Sequence, residues 1–431
     1  MSFSLKTRQL RYLGWTSDIP QHWNLLKLKF ISSLNMGQSA DSSDYNYTGI
    51  GIPFLQGKAE FGASHPQPCL YSESAKKFAL KDDILLSVRA PVGELNFADQ
   101  KYGIGRGLCS ITPIEEKCNK DFIRYFLELA KIELLSVSTG STYDAVTISQ
   151  VANVLCIVPP IHEQIIIADF LDRETIQIDN LIAAKEQMLT LLEEKREALI
   201  SHAVTRGLDP NVAFKRSGLD WLGDIPQHWN IERAKNLFSV RDERSDSGDE
   251  ELLSVSHITG VTSRADKQVN MFKAEDMTGY KRCTKGDFVT NTLWGWMGAM
   301  GVSPLDGIVS PDYHVYIFKG DLLPEFMELL CRSKPFIAEV VRWSKGVWSS
   351  RLRIYPENFF EIRFPVPPKS EQLELIDKVA KEDEKNKELK NALTDSIALL
   401  KERRSALITA AVTGQINIQE MSKHSQNEVS Q

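Results

Sequence analysis

Cysteine pairs, nucleotide-binding loops and long apolar runs are all missing from this sequence of 431 residues. Its six cysteines, at positions 69, 109, 118, 156, 283 and 331, form no CxxC pair and no Cys/His spacing that would build a zinc site. That pattern fits reduced thiols in a cytosol and no bound metal. No apolar stretch approaches the roughly 20 residues of a membrane span, and the opening MSFSLKTRQLRYLG lacks a signal-peptide core, so a cytoplasmic chain with no membrane association is expected. There is no GxxxxGK[ST], GxGxxG or GxSxG motif. Both Pro-Pro pairs follow Val, so neither forms the Asn-Pro-Pro-Tyr or Asp-Pro-Pro-Tyr box of amino-methyltransferases, and Asp312 has no following acid-x-Lys of a nuclease. These absences point to a noncatalytic binder.

What is present is the composition of a folded protein, with 42% apolar and 25% charged residues. Two or three domains are expected at about 150 residues each. The net charge of -6 argues against a nucleic-acid partner only if it is spread evenly, so its location matters more than its sum.

The chain is written twice. Asp18-Ile19-Pro20-Gln21-His22-Trp23 returns as Asp224-Ile225-Pro226-Gln227-His228-Trp229, and Trp15 falls on Trp221. Pro159-Pro160-Ile161-His162-Glu163-Gln164 matches Pro367-Pro368-Lys369-Ser370-Glu371-Gln372, and Ala198-Leu199-Ile200 with Ala203-Val204-Thr205 matches Ala406-Leu407-Ile408 with Ala411-Val412-Thr413. The middles agree in outline, as in Lys81-Asp82-Asp83-Ile84 against Lys285-Gly286-Asp287-Phe288. A period of about 206 residues is far longer than a solenoid repeat of roughly 20 to 50, so each copy is a domain with an appendage. The boundaries expected are 1–160 and 208–368 for the two variable domains, 161–207 and 369–420 for the tails, and 421–431 for a polar, disordered end.

Each tail starts at Pro-Pro, has no interior Pro or Gly, and stops at Gly207 or Gly414, which predicts one long helix. A broken heptad seam runs through both, including Leu171, Ile178, Leu192 and Leu199 in the first and Val379, Leu393, Leu400 and Leu407 in the second. Segments of equal length can bury their seams on each other, most simply as an antiparallel pair about a pseudo-twofold axis. From Glu163 to Arg206 there are nine acidic residues against five basic ones, and from Glu371 to Gly414 nine against eight, so the tails hold most of the negative charge. The rest is near neutral and free to carry basic faces. Acidic helices of this kind suit a solvated or protein-facing spacer.

The variable domains read as short strands, including 50–55, 83–88, 108–112 and 155–158, interrupted by helices from Asp121 to about Val137 and from Pro324 to about Trp343, the second bent or broken at Pro335. The fold class expected is therefore α+β, with two similar α/β domains separated by a long antiparallel two-helix coiled coil. Between Cys331 and Arg353 six cations face the single acid Glu339, with tryptophans among them. A phosphate-tracking, base-reading surface needs such a stretch, and Arg342, Lys345, Trp348, Ser349, Arg351 and Arg353 are its candidate DNA contacts. A solvated helix face is the bland alternative. In the first copy the matching loop is polar, so Ser141, Thr142 and Tyr143 would hydrogen-bond, and Lys58, Arg89 and Arg106 are the candidate cations. Asn291 and Trp294 are the counterparts of the Arg89 region, offering an amide where the first copy offers a cation. His22 and His228 are expected to anchor each domain start against its sheet, with Trp23 and Trp229 supplying buried area.

These motifs resemble those of the specificity subunits of type I restriction-modification systems. The Ile-Pro-x-x-Trp start of both copies, the Pro-Pro-x-x-Glu-Gln opening of both helices and their Ala-Leu-Ile and Ala-Val-Thr ends carry the likeness over nearly the whole chain. The resemblance implies two target-recognition domains, each reading one half of an asymmetric, bipartite double-stranded DNA target, held apart by paired helices. It also implies two modification subunits that hold S-adenosylmethionine and methylate adenine, and restriction subunits that use ATP and Mg. None of those cofactors would be bound by this chain. One departure is the unequal basic content of the two copies. The rivals are a noncatalytic adaptor whose domains bind proteins, and an enzyme with an unrecognised site.

Overall fold

The computed structural model of the chain describes residues 7–12, 15–138, 144–266, 276–347 and 351–427. They divide into two units, Met1–Lys185 with Asp395–Gln431, and Glu186–Thr394.

The first unit centres on a four-stranded antiparallel sheet in the order Ser32–Met36, Leu108–Pro113, Ile84–Ser87, Leu95–Phe97. Alternation along Ile84–Ser87 sends Ile84 and Leu86 into one core with Phe122 and Phe126 of the helix Lys120–Val137, and Leu85 into another with Leu55, Tyr102 and Ile104. A strand buried on both faces explains why Ile84, Leu85 and Leu86 are apolar in succession. The second unit repeats the arrangement with Phe238–Arg241, His314–Phe318, Phe288–Thr290 and Met300–Val302. There Phe288 packs with Phe326 and Phe336, while Val289 packs with Val255, Val261 and Val315. The copies diverge beyond the shared sheet. The first has a second four-stranded sheet in the order Leu70–Ser72, Ile52–Leu55, Tyr102–Ile104, Phe78–Ala79, where the second has the pairs Leu253–Ser256 with Gly260–Ser263 and Lys281–Cys283 with Gly307–Val309.

The second unit's helical stretch is two helices, Pro324–Cys331 and Lys334–Trp343. Of the bend or break expected at Pro335, the structure shows a break, placed just before it. The break falls at Arg332 and Ser333, and Pro335 lies in the first turn of the new helix, where its missing N–H leaves no carbonyl unpaired.

The long helices run from Ile161 to Arg206 and from Lys369 to Val412. In the first unit Ile167, Ala168 and Leu171 share a core with Ile408, Ala411 and Val412, and Arg404 reaches Asp179 at 3.0 Å and Glu128 at 2.8 Å. In the second unit Ile200, Ala203 and Val204 share a core with Leu375 and Val379. There Arg196 grips Asp383 through two hydrogen bonds of 2.7 and 2.8 Å, and Lys390 pairs with Glu193. Within each unit the partner numbers fall along one helix as they rise along the other, so the pairing is antiparallel. Arg196 and Arg404 are equivalent in the repeat, and each clamps the facing helix. Part of the helices' acidic charge is thus engaged in cross-helix ion pairs rather than solvated.

A disordered end from residue 421 is corrected. Ile418–Asn427 is helical, Met421 is fully buried in the first unit's core, and Ile418 packs against the same core. Residues 428–431 lie outside the described residues.

Two glycines show where backbone freedom is required. Gly414 has φ +75°, and a Cβ there would lie 2.6 Å from Pro20 and 2.9 Å from Trp23. Gly286 has φ +92° with open space around it, and its repeat partner Asp82 holds φ +73°. Gly286→Ala is therefore expected to cost about 1 kcal/mol, from backbone strain alone. Gly414→Ala should cost clearly more, because rigid rings block the methyl. Urea unfolding of the two variants checks the order, and equal losses would contradict it.

Candidate nucleic-acid interface

The repeated motifs meet in one cluster per unit. In the first unit Glu163 accepts hydrogen bonds from Trp23 Nε1 at 2.7 Å and lies 2.8 Å from His22 Nε2. In the second, Glu371 accepts from Trp229 Nε1 at 2.9 Å and lies 2.7 Å from His228 Nε2. Beside them Gln164 donates to the Pro159 carbonyl and accepts from Asn119 N, and Gln372 donates to the Pro367 carbonyl and accepts from Leu323 N. Both glutamines are fully buried. The histidines thus anchor the domain start to the first turn of a long helix rather than to the sheet. Gly414, closing the second helix, abuts Trp23, and Gly207, closing the first, abuts Trp229. Each cluster therefore joins the start of one long helix to the end of the other. These ties fix the platform on which each candidate surface stands.

In the first unit the structure brings Lys58, Arg89 and Arg106 to one half-open cleft of about 270 Å³, with Gln56, Gly105 and Gly107 in its wall. Arg106 is displayed by a Gly-Arg-Gly turn pressed against a neighbouring strand end. Gly107 N donates to the Gln56 carbonyl, and a Cβ on Gly107 would lie 2.4 Å from that oxygen. Arg89 follows the buried strand Ile84–Ser87 and bridges to Ala145. Ser87 steadies its turn, donating to the Pro91 carbonyl at 2.6 Å and accepting from Glu94 N at 2.9 Å. Lys58 lies 3.7 Å from Glu94, whose carboxyl is held below the usual range first by the hydrogen bond from Lys131 and also by the charge of Lys58. Arg89 and Arg106 are exposed and make no ion pair among the described residues. Two unpaired guanidinium groups in one cleft form an anion-accepting surface. Ser141, Thr142 and Tyr143 lie outside the described residues.

In the second unit Lys345 and Arg353 face each other across a short antiparallel bridge, with backbone hydrogen bonds of 2.8 and 2.9 Å. Their side chains and that of Arg351 are exposed, without ion pairs among the described residues. Arg342 is different, since it lies 3.3 Å from buried Glu339, which also accepts from Trp343 Nε1. Trp348 and Ser349 lie outside the described residues. Trp294 is 51% exposed. Asn291 is corrected: it is buried, its Nδ2 donates to Tyr313 Oη at 3.0 Å, and its Oδ1 accepts from Leu293 N and Trp294 N. Its amide builds the turn and has no group left over for a base.

Sequence reasoning missed the contacts that hold these surfaces in place. The glycines around Arg106 were a usable signal, since a cation between two glycines is often the tip of a tight turn. Leu293 and Met297, exposed beside Trp294, gave none, because their spacing does not separate surface from core. Among the described residues no group of His, Cys, Asp and Glu could hold a metal ion, and no helix is long and apolar enough to cross a membrane.

The chain is similar to several known proteins. Residues 20–193 match the family model of the type I restriction modification DNA specificity domain. The chain is 38% identical over 191 residues to the MjaX type I restriction enzyme specificity subunit of Methanocaldococcus jannaschii, an alignment covering 44% of each protein. It is 23% identical to the EcoBI specificity subunit of Escherichia coli, over 97% of this chain and 92% of that one. Among solved structures, a chain from work on assembly and conformational transition of the type I R-M system superposes with a TM-score of 0.67 at 14% identity, over 92% of this chain and 99% of that one. The HsdS subunit of Thermoanaerobacter tengcongensis superposes with a TM-score of 0.51, also at 14% identity, over 93% of this chain and 99% of that one. The structural likeness shows a shared fold, and the sequence matches show that residues 20–193 are similar to the type I restriction modification DNA specificity domain.

Proposed function

We propose that this chain is the noncatalytic DNA sequence-specificity subunit of a type I restriction-modification complex. Each variable domain reads one half of an asymmetric, bipartite double-stranded target, and the paired helices set the unread gap and dock two modification subunits. Restriction subunits join for cleavage. S-adenosylmethionine, ATP and Mg act in those partners, and the complex works in the cytoplasm.

The observation that carries this reading is the gathering of Lys58, Arg89 and Arg106 in one cleft with Glu94 as the near acid, in a chain whose net charge is negative. Exposed cations such as Arg89 and Arg106, without ion pairs among the described residues, are what a phosphate backbone and guanine edges bind. Two domains of different surface chemistry give two different half-sites.

Insertion of four residues after both Leu189 and Ile397 tests the gap-setting role. Four residues add about 6 Å of helix, or one to two base pairs at roughly 3.4 Å each. The methylated target should gain that many unread base pairs with both half-sites unchanged. An unchanged gap, or an altered half-site, would refute the role given to the helices.

A further inference from the structure

The strand that crosses both cores ends in a turn at the equivalent position in each unit, but the chemistry at the tip is exchanged. Lys81 aligns with Lys285, and the same offset places Ser87 on Asn291, Arg89 on Leu293 and Ala90 on Trp294. Ser87 and Asn291 are both buried, and each holds its turn through side-chain hydrogen bonds to the backbone. Past this shared support the first unit exposes Arg89, and the second exposes Leu293, Trp294 and Met297 at 41%, 51% and 36%.

The second turn is buttressed from within and from the core. Trp296 Nε1 donates to the Leu293 carbonyl at 3.0 Å, and Gly298 closes the turn with φ +89° against Ile337. A Cβ on Gly295 would lie 2.7 Å from Ile354, the neighbour of Arg353. Three large apolar side chains held in water by a buttressed turn cost free energy unless a ligand covers them. With Lys345, Arg351 and Arg353 also exposed in this unit, a ligand that presents phosphates and an apolar group together fits this chemistry. A DNA major groove with thymine methyls does so. In the first unit Arg89, next to Arg106, presents paired donors to acceptor edges, and guanine N7 and O6 are the base edge that accepts both.

We infer that this turn is a base-discriminating element of each domain, Arg89 selecting a guanine in the first half-site and the Leu293–Trp294–Met297 tip selecting thymine through its methyl group in the second. The inference rests on the DNA-specificity reading above. Base identity is thus set by the tip while the Ser87 or Asn291 support stays constant.

The test uses the full chain with its modification subunits and a randomised duplex library, followed by binding to the selected duplex. Guanines of the first half-site are replaced singly by 7-deazaguanine, and thymines of the second singly by uracil. For the wild type, one 7-deazaguanine position should cost about 10- to 100-fold in affinity, the span of a bidentate base contact. One or more uracil positions should cost about 4-fold, the factor for burying one methyl group. Arg89→Ala should lose the guanine preference and become indifferent to 7-deazaguanine, and Arg89→Lys should retain affinity while relaxing the preference. Leu293→Ala and Trp294→Ala should each reduce the uracil penalty. Unchanged preferences in Arg89→Ala, or a wild-type complex indifferent to uracil, would overturn the inference while the DNA reading stands. A wild-type complex that selects no sequence would overturn both.

Discussion

Changing Lys345, Arg351 and Arg353 together to alanine is expected to weaken DNA binding by on the order of 100-fold at physiological salt and to lower the slope of log affinity against log salt by about 2 to 3. All three side chains are exposed and unpaired among the described residues, so no fold energy is lost with them. The loss should be similar for target and unrelated duplexes, because phosphate contacts carry position and not sequence. Arg342→Ala serves as an internal contrast. Its guanidinium already faces buried Glu339, so its removal should shift the salt slope least. Fluorescence anisotropy across a salt series checks both statements. An unaltered slope in the triple variant would move the phosphate-binding face elsewhere.

Replacing Trp229 by alanine should destabilise the second unit by about 3 to 5 kcal/mol, the usual range for removing a buried aromatic side chain. Trp229 is fully buried, and its indole N–H is one of the groups neutralising Glu371 at the first turn of the long helix. Trp229→Phe keeps most of the apolar area and removes the hydrogen bond to a charged acceptor, so a loss of about 1.5 to 3 kcal/mol is expected. Trp23→Ala and Trp23→Phe should behave alike in the first unit, where Glu163 is the acceptor. Thermal and urea melts of the four variants measure these differences. If both Trp→Phe variants melt with the wild type, the bond to glutamate is not what ties the domain start to the helix.

Much of this architecture was legible because the chain repeats itself. Identical residues that recur after about 206 positions mark the parts that cannot vary, and every one of those motifs turned out to touch another. Trp23 bonds Glu163, His228 lies against Glu371, and Gly414 fits against Pro20. The sequence showed these residues without showing that they belong to one cluster, since that requires partners some 140 to 400 residues apart. Asn291 shows a different limit. Its position after the central strand was right for a base contact, but a turn opening with exposed Leu293 and Trp294 needs an internal cap, and only the coordinates reveal which task the amide performs. Met421 was hidden for a third reason, because one buried side chain in a polar segment is invisible to composition. Arg89 and Arg106 were individually unremarkable arginines, and their meeting in one cleft depends on a Gly-Arg-Gly turn packing beside the end of another strand.

Mapping methylated adenines across the genome, with the gene for this chain intact and deleted, tests its role in DNA specificity most directly. The expected result is a motif of two different half-sites separated by a fixed gap, modified when the chain is present and unmodified when it is absent. Methylation that persists unchanged after deletion, or a motif with two identical half-sites, would contradict it.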